Sequence, residues 1–477
     1  MIYAFIGFLL LFTLVGISSA LFSRGTKADY YLASAGIPPW LVGLSAVATN
    51  NSGYMFIGVI GYTYVSGLAS IWLMLGWIAG DFIASLYVHR RLSSATNSSG
   101  EVSYAGVLSN WYGQNHSTLQ RLIGVISLLF LLVYASAQMI AGSKALHVLL
   151  DWPLWSGAVA GAMLICLYCF AGGIRASIWT DAAQSIVMIG AMGTLLAVAL
   201  ADLGGISSTL EQMKAVEGFM DWFPQELVMP GWVGIAIFVV SWLFAGFSVI
   251  GQPHVMVRFM TLSDSSKMYR ARAWYYLWFV LFYCMATGVG LLSRVYIADA
   301  GSFDAELALP TMAIELLPPV LVGLILAGIF AATMSTADSL LLSCSAAITH
   351  DILPQKTEKT WLLKVATVCI TAAALMLALT NNQSVFSLVI FSWSGLASAF
   401  GPLLLVLCLG WKPSQTASIL AVLVGFSSAI GWRALGLHGA IYEGLPGIMA
   451  GLSVFYLARQ LFQSSKLPSA SPVEGTR

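Results

Sequence analysis

Long apolar stretches alternate with short polar segments along the whole chain. Thirteen of these stretches are long enough to cross about 30 Å of hydrocarbon. A helix satisfies its own backbone polar groups in lipid, so we predict an all-α integral membrane protein of about 13 transmembrane helices. The stretches lie near residues 2–22, 40–65, 68–88, 122–143, 153–171, 177–201, 231–252, 273–294, 318–349, 361–380, 384–409, 415–432 and 441–464.

The composition agrees with this pattern. Of 477 residues, 59% are hydrophobic and only 9% are charged, whereas soluble domains have about 25% charged residues. Residues 1–464 are predicted to form a single transmembrane domain. Residues 465–477, rich in Ser and Pro, are predicted to be a disordered cytoplasmic tail. The net charge of +1 gives no indication of a nucleic-acid partner.

The basic residues predict the orientation in the membrane. With the N-terminus outside, 17 of the 21 Lys and Arg residues face the cytoplasm, Arg258 among them. A missed or additional span would invert every later loop, so this asymmetry favours 13 spans and a cytoplasmic C-terminus. No basic segment precedes the first apolar stretch, which predicts a retained helix rather than a cleaved signal peptide.

The second stretch contains five polar or glycine residues in a row near the middle of the membrane, Thr49-Asn50-Asn51-Ser52-Gly53. Asn, Ser and Gly are weak helix formers. Backbone can unwind at this depth only where a cavity or ligand accepts its polar groups. We therefore predict a discontinuous helix that lines a binding site. A polar seam between packed helices is the alternative.

The ninth stretch carries closely spaced hydroxyl groups and a carboxylate. Ser335, Thr336 and Ser339 lie within about one turn of one another, next to Asp338. Hydroxyl and carbonyl oxygens suit a small hard cation, and an ionisable group at this depth usually marks an ion or substrate path. We expect this span to be interrupted as well and to face the second one. Hydroxyls bonded back to their own helix are the alternative.

Other polar side chains carry weaker signals. Asp181 begins the sixth stretch, where it serves as a helix cap or as an ion relay. Asp81, in the third stretch, is predicted to be a structural hydrogen-bond partner rather than a ligand. Cys166 and Cys169 have no second pair or nearby His to complete a metal site. The six His residues are scattered without a nucleophile–base set, so an enzyme is not expected.

Six motifs follow one another along nearly the whole chain. They are GLSAVATNNSG at 43–53, YASAQMIAG at 134–142, GGIRASIWTD at 172–181, GQPHVMVRFM at 251–260, ATMSTADSLLLSCSAAITHD at 332–351 and FSWSGLASAFGP at 391–402. In this order they resemble the sodium:solute symporter family, most of all its sodium/proline branch. The resemblance implies a LeuT-type core of two inverted five-helix repeats, about residues 40–201 and 231–409, with one extra N-terminal and two extra C-terminal helices. It also implies a multi-pass protein of the bacterial inner membrane.

The resemblance implies a site for Na⁺ as the coupling ion. Its expected ligands are the main-chain carbonyls of Ala48, Asn51 and Ala332 and the hydroxyls of Ser335 and Thr336. A possible second ion site or relay consists of Asp181, Asp338 and Ser339. The residues expected to contact the solute are Asn50, Ser52, Gly53, Tyr54, Tyr134 and Gln138.

Several positions depart from the proline carriers. Asn50 stands where they have Asp, and Tyr54 stands where they have Trp. Ala245 and Val249 stand where they have Trp and Tyr. An aromatic box around a pyrrolidine ring is therefore expected to be incomplete. Proline or a related amino acid is the first expectation for the solute, with another carboxylate such as pantothenate, or a sugar, as the alternative.

The expected function is sodium-coupled uptake of a small polar solute by alternating access, with at least one Na⁺ per solute. The expected partners are the solute and the lipid bilayer, with neither nucleic acid nor an obligatory protein partner. A proton-coupled carrier that uses Asp181 or Asp338 is one alternative. A non-transporting membrane sensor, which would bind solute without flux, is the other.

Overall fold

Helices make up nearly all of the protein in a computed structural model, which describes residues 1–22, 24–298, 301–353, 359–380 and 383–464. These residues contain no β-strand, so the prediction of an all-α fold is confirmed. The predicted tail, 465–477, lies outside the described residues.

The described chain contains nineteen α-helical segments and several shorter turns; the longest segment, Leu154–Asp202, consists of two helices that meet at a kink at Gly173 (φ 58°, ψ −143°). The α-helices are α1 (Ile2–Ser18), α2 (Lys27–Leu32), α3 (Pro39–Asn50), α4 (Gly53–Phe56), α5 (Gly58–Ser66), α6 (Ile71–Ser99), α7 (Tyr104–Ser109), α8 (Ser117–Leu150), α9 (Leu154–Asp202), α10 (Ile206–Lys214), α11 (Gly231–Phe247), α12 (Pro253–Met260), α13 (Met268–Tyr296), α14 (Ala308–Leu316), α15 (Pro319–Ala346), α16 (Thr360–Thr380), α17 (Val385–Cys408), α18 (Gln415–Ala434) and α19 (Gly444–Ser464). The 3₁₀ turns are Ser19–Phe22, Ala33–Ala35, Gly67–Ser70, Ser248–Gly251, Ser265–Lys267, Ala305–Leu307 and Leu437–Gly439, and a π-helical turn spans Ala347–Ile352.

Many of these helices are long and apolar enough for a multi-pass membrane protein. Within the described residues, nine segments could cross a membrane by length and composition, and two shorter apolar helices, Ile2–Ser18 and Leu154–Leu167, accompany them. The count of 13 spans stays a prediction.

The helix α15 lies at the centre of the bundle. In its most apolar 18-residue window, 83% is buried, against 28% in α16. It packs against α8 and α9 along its length and against α1 and α3 at other faces. A central helix surrounded by protein can carry polar side chains that a lipid-facing helix cannot.

The second apolar stretch is broken where the sequence predicts it. α3 ends at Asn50, and Asn51 (φ −87°, ψ 66°) and Ser52 (φ −65°, ψ −173°) leave the helical conformation before α4 begins at Gly53. The predicted discontinuous helix is confirmed.

The ninth stretch is not interrupted, and that expectation is wrong. α15 runs without a break from Pro319 to Ala346. Its hydroxyls bond back to carbonyls of their own helix, as Ser339 does to Ser335 (2.6 Å) and Thr333 to Phe330 (3.1 Å). Such bonds satisfy polar side chains inside a membrane helix without disturbing its backbone ladder.

A second broken span lies in the seventh stretch, where no break was predicted. α11 passes through the turn Ser248–Gly251 to Gln252, whose backbone is extended (φ −94°, ψ 101°), and α12 begins at Pro253. Proline has no N–H to donate and is favoured at the first position of a helix, so Gly251-Gln252-Pro253 is the signal for this break. The two broken stretches are the first of each predicted repeat.

Candidate functional site

The broken end of α3 meets the middle of α15. The hydroxyl of Ser335 lies 3.1 Å from the carbonyl oxygens of both Ala48 and Ala332. The hydroxyl of Thr336 donates to the carbonyl oxygen of Thr49 (2.9 Å). A serine has one proton to donate, so its hydroxyl can pair with only one of the two carbonyls at a time. The junction therefore holds more oxygen lone pairs than protons, which is the chemistry that a small cation requires.

Asn51 stands at the break itself. Its backbone and side-chain nitrogens both donate to the carbonyl oxygen of Val47, at 2.8 and 3.1 Å. These bonds close the last turn of α3. The structure thus brings together Ala48, Ala332, Ser335 and Thr336 and places Asn51 at the edge of the same junction.

A buried cluster of charges adjoins this junction. The guanidinium of Arg258, on α12, lies 3.4 Å from a carboxylate oxygen of Asp181 and 3.8 Å from one of Asp338, and all three side chains are buried. Arg258 also donates hydrogen bonds to Ser177 and Ser339. The structure therefore brings together the predicted group of Asp181, Asp338 and Ser339, but the group surrounds the cationic side chain of Arg258. The assignment of Arg258 to a cytoplasmic loop is wrong, because two buried carboxylates hold it inside the bundle.

A narrow cavity, in which a water-sized sphere can occupy about 30 Å³, reaches this cluster. It is lined by Arg258 and Ser339 at one end, and by Tyr31, Ser103 and Asp351 farther away. The charged cluster therefore lies between the α3–α15 junction and an opening in the bundle.

Residues of α8 hold the break from another side. The hydroxyl of Tyr134 donates to the side chain of Ser52 (3.0 Å), and the side-chain oxygen of Gln138 accepts from the backbone N–H of Gly53 (2.9 Å). A Cβ on Gly53 would lie 2.5 Å from a methyl carbon of Thr333, so only glycine allows this approach of α15. Four of the predicted solute residues are thus in direct contact.

A small aromatic cavity lies beside the break, and a water-sized sphere can occupy about 10 Å³ of it, which is room for about one water. The hydroxyls of Tyr54 and Tyr283 are buried and have no hydrogen-bond partner in the described part of the chain. Buried polar groups are normally paired, so these two donors are available to a ligand. The cavity is lined by Asn50, Asn51, Tyr54, Met55, Trp77, Tyr134, Phe279, Tyr283 and Trp393.

Comparison with known proteins places this arrangement in a family. The signature of the sodium:solute symporter family matches residues 30–425. The chain belongs to the sodium:solute symporter family. It is 30% identical over 468 residues to the sodium/proline symporter of Haemophilus influenzae, across 92% of this chain and 90% of the relative. It is 29% identical to the high-affinity proline transporter PutP of Bacillus subtilis, across 90% of this chain and 92% of the relative.

Solved structures show the same fold. A Na⁺-coupled sialic acid symporter in a substrate-bound, outward-open state matches with a TM-score of 0.78 at 19% identity, over 96% of this chain and 97% of that one. The transporter Mhp1 in a closed conformation matches with a TM-score of 0.59 at 14% identity, over 93% and 96%. The prediction of a LeuT-type fold is confirmed. The family and these relatives are membrane transporters rather than enzymes, and Na⁺ is the coupling ion of the symporter.

The sequence did not reveal much of the cavity wall of this symporter. Trp77, Phe279, Tyr283 and Trp393 come from α6, α13 and α17, and none of them was predicted as a solute residue. They supply aromatic surface beside the break. The available signal was the aromatic density of α13, YYLWFVLFY.

Asp81 of the symporter is a hydrogen-bond partner, as predicted. Its carboxylate accepts from the hydroxyls of Tyr275 (2.6 Å) and Tyr276 (2.9 Å) and from the side-chain nitrogen of Asn50 (3.4 Å). It therefore lies one layer behind the cavity wall.

Proposed function

We propose that the symporter couples the entry of Na⁺ to the uptake of L-proline or a closely related amino acid. One observation carries this proposal: the hydroxyls of Ser335 and Thr336 meet carbonyls at the broken end of α3, directly beside a small aromatic cavity. The relatives that match most of the chain are named as proline carriers, which favours proline as the solute.

Na⁺ is proposed to bind at the α3–α15 junction. Its ligands would be the carbonyl oxygens of Ala48, Asn51 and Ala332 and the hydroxyls of Ser335 and Thr336. These oxygens are uncharged and belong to two helices from different predicted repeats. An ion held by both helices favours the conformation in which they are close, and this preference is what couples ion binding to transport.

The solute is proposed to bind in the aromatic cavity. The apolar ring of the solute would lie against Tyr54, Trp77 and Trp393 once these side chains move apart, since the present space holds only about one water. The unpaired hydroxyls of Tyr54 and Tyr283 can donate to its carboxylate. Tyr134 and Gln138 hold Ser52 and the backbone of Gly53 in place, and Tyr134 also lines the cavity. Asn50 faces the cavity with its amide.

Asp181, Asp338 and Ser339 are proposed to act as a relay on the way out of the sodium site, rather than as a second sodium site. Arg258 already supplies a cation to both carboxylates. The narrow cavity beyond the cluster is the proposed exit toward the cytoplasm. One Na⁺ per solute follows as the minimum stoichiometry.

The symporter is proposed to reside in a bacterial inner membrane with its N-terminus outside and its C-terminus in the cytoplasm. The bias of basic residues supports this orientation even without Arg258. Residues 1–464 form one proposed transport domain with repeats at about 40–201 and 231–409, and the occurrence of a break in the first helix of each supports that division. No protein partner is required.

The sodium site is tested by uptake of radiolabelled proline into proteoliposomes at varied sodium concentration. Ser335→Ala and Thr336→Ala are expected to raise the half-saturating sodium concentration by roughly tenfold or more, because each removes an oxygen ligand. The exposed Thr380→Ala on α16 is the matched control and should leave it unchanged. An unaltered sodium dependence in both site variants contradicts the proposal. Uptake that persists without sodium and collapses without a pH gradient favours proton coupling.

A further inference from the structure

Asp81 is a buried carboxylate held by neutral groups. It is fully buried on α6, and each of its three hydrogen bonds comes from a hydroxyl or an amide. No salt bridge reaches it within the described residues. Burying a carboxylate without a cationic partner is costly, and these three hydrogen bonds offset the cost.

The hydrogen bonds of Asp81 dictate how Asn50 is turned. The side-chain nitrogen of Asn50, rather than its oxygen, faces a carboxylate oxygen of Asp81, and Tyr275 and Tyr276 donate to the same carboxylate, so Asp81 is the acceptor in each contact. The same nitrogen donates to the hydroxyl of Tyr275, which in turn donates to Asp81. Both recorded hydrogen bonds of the amide therefore start at its nitrogen. Asn50 lines the aromatic cavity, and its oxygen is the atom left to accept a hydrogen bond from a solute.

We propose that Asp81 is a positioning residue that determines solute specificity by fixing the amide oxygen of Asn50 toward the solute. This inference rests on the proposed function and deepens it. A hydrogen bond donated by the amide to a carboxylate polarises it and makes its oxygen a stronger acceptor. Asp81 thus acts on the solute indirectly, through Asn50. Asn50 occupies the position at which the proline carriers have Asp.

The inference assigns the two ends of the solute. The ammonium or imino group faces the oxygen of Asn50, because a polarised carbonyl attracts a cationic donor. The carboxylate faces the hydroxyls of Tyr54 and Tyr283, which are donors without a partner in the described part of the chain. The favoured solute class is an amino or imino acid rather than a carboxylate without a basic nitrogen.

The proposal is tested by moving the carboxylate from position 81 to position 50. Asp81→Asn is expected to raise the KM for proline roughly 10- to 100-fold with little change in the maximal rate, because the amide of Asn50 loses its charged partner. Asn50→Asp alone places two carboxylates against the same donors and is expected to be at least as harmful. The double variant Asn50→Asp/Asp81→Asn returns one carboxylate to the cluster and should bring the KM within about tenfold of the starting protein. Asp221→Asn, on an exposed loop, is the matched control.

A pair of solutes provides the second readout. In tetrahydrofuran-2-carboxylate, an ether oxygen replaces the ring nitrogen of proline, so it cannot donate to Asn50. It is expected to compete for uptake at least 100-fold less well than proline in the starting protein. In Asp81→Asn the difference should shrink to roughly tenfold or less. An unchanged ratio overturns the inference, because a merely structural Asp81 would weaken both solutes alike.

The inference remains testable if proline is not carried. The melting temperatures of the starting protein, Asp81→Asn, Asn50→Asp and the double variant are measured without solute. Both single variants should lower the melting temperature, and the double variant should recover most of the loss. Additive losses overturn the inference whatever the solute. Failure of the starting protein to take up or bind proline refutes the proposed solute instead, and leaves the melting series to decide the role of Asp81.

Discussion

The two broken spans of the symporter use their breaks in different ways. At Asn51-Ser52, the carbonyls of α3 meet hydroxyls from another helix, Ser335 and Thr336. At Gln252, the side chain of the broken segment itself donates to the carbonyls of Ser248 (3.1 Å) and Trp393 (3.0 Å). The first break thus offers backbone oxygen to a ligand, whereas at the second the side-chain nitrogen of Gln252 satisfies two carbonyls and α12 changes direction; the side-chain oxygen of Gln252 has no partner in the described part of the chain. A broken helix can therefore form a binding site in one repeat and position a charged side chain, Arg258, in the other.

The largest effect is expected at the charge that the second break delivers. Arg258→Met leaves Asp181 and Asp338 buried without a cation and should lower the free energy of unfolding by about 3–5 kcal/mol. The measurement is thermal or denaturant unfolding in detergent. The triple variant with Asp181→Asn and Asp338→Asn removes the unpaired charges and should recover most of the loss. If it does not recover, the role of Arg258 is not to neutralise these carboxylates.

A smaller loss is expected where α15 approaches the first break. In Gly53→Ala, the new Cβ lies 2.5 Å from a methyl carbon of Thr333 and 3.1 Å from the side-chain oxygen of Gln138. Overpacking of this kind costs about 1–3 kcal/mol and should raise the half-saturating sodium concentration, since it pushes α3 and α15 apart. Adding Thr333→Ser removes that methyl and keeps the hydroxyl.

The rescue decides between two readings of Gly53. If the double variant regains sodium affinity, the close approach of α15 is what Gly53 provides. If Gly53→Ala and the double variant are equally impaired, the backbone freedom of Gly53 matters more than the contact with Thr333.

The contrast between the breaks also shows what the sequence could predict. Four polar residues and a glycine, from Thr49 to Gly53, inside an apolar stretch admit few structures in a membrane, so the first break was predictable from the residues. Its hydroxyl partners, Ser335 and Thr336, were expected from the family resemblance. Gly251-Gln252-Pro253 closes an apolar stretch and looks like the end of a span. The proposed repeat offers the missing signal, because a break in the second stretch implies one in the seventh.

Long-range contacts account for the rest. Arg258 follows a proline near a membrane edge, and its sequence neighbours do not distinguish it from a loop cation. Its burial depends on Asp181 and Asp338, which come from other helices. Likewise, the hydroxyl of Ser339 serves its own helix and the charged cluster, and only the packing of α15 at the centre of the bundle reveals both uses. The aromatic cavity wall was missed for the same reason, since α6, α13 and α17 each contribute one or two side chains.

A third prediction asks whether the second break is purely structural. Gln252→Leu removes the donor to two buried carbonyls and should lower the free energy of unfolding by about 1–3 kcal/mol, the cost of unsatisfied polar groups. The sodium dependence of uptake should stay unchanged, because no ligand is proposed there. A raised half-saturating sodium concentration without loss of stability would show that this break, too, takes part in ion binding.

The smallest effect is expected at Thr49, a side chain that joins the two regions. The hydroxyl of Thr49 lies 3.1 Å from that of Ser339 and accepts a hydrogen bond from Arg258 (3.4 Å), while its carbonyl accepts from Thr336. Thr49→Val keeps the shape and removes the hydroxyl, so the free energy of unfolding should fall by only about 1 kcal/mol. The informative measurement is the coupling between Thr49 and Arg258. Sodium binding is measured as protection against thermal unfolding. Replacing Arg258 should change this protection less in Thr49→Val than in the starting protein. Independent effects of the two substitutions would mean that the ion site and the charged cluster do not communicate through Thr49, and that sodium release is coupled to Asp181 and Asp338 by the motion of α15 alone.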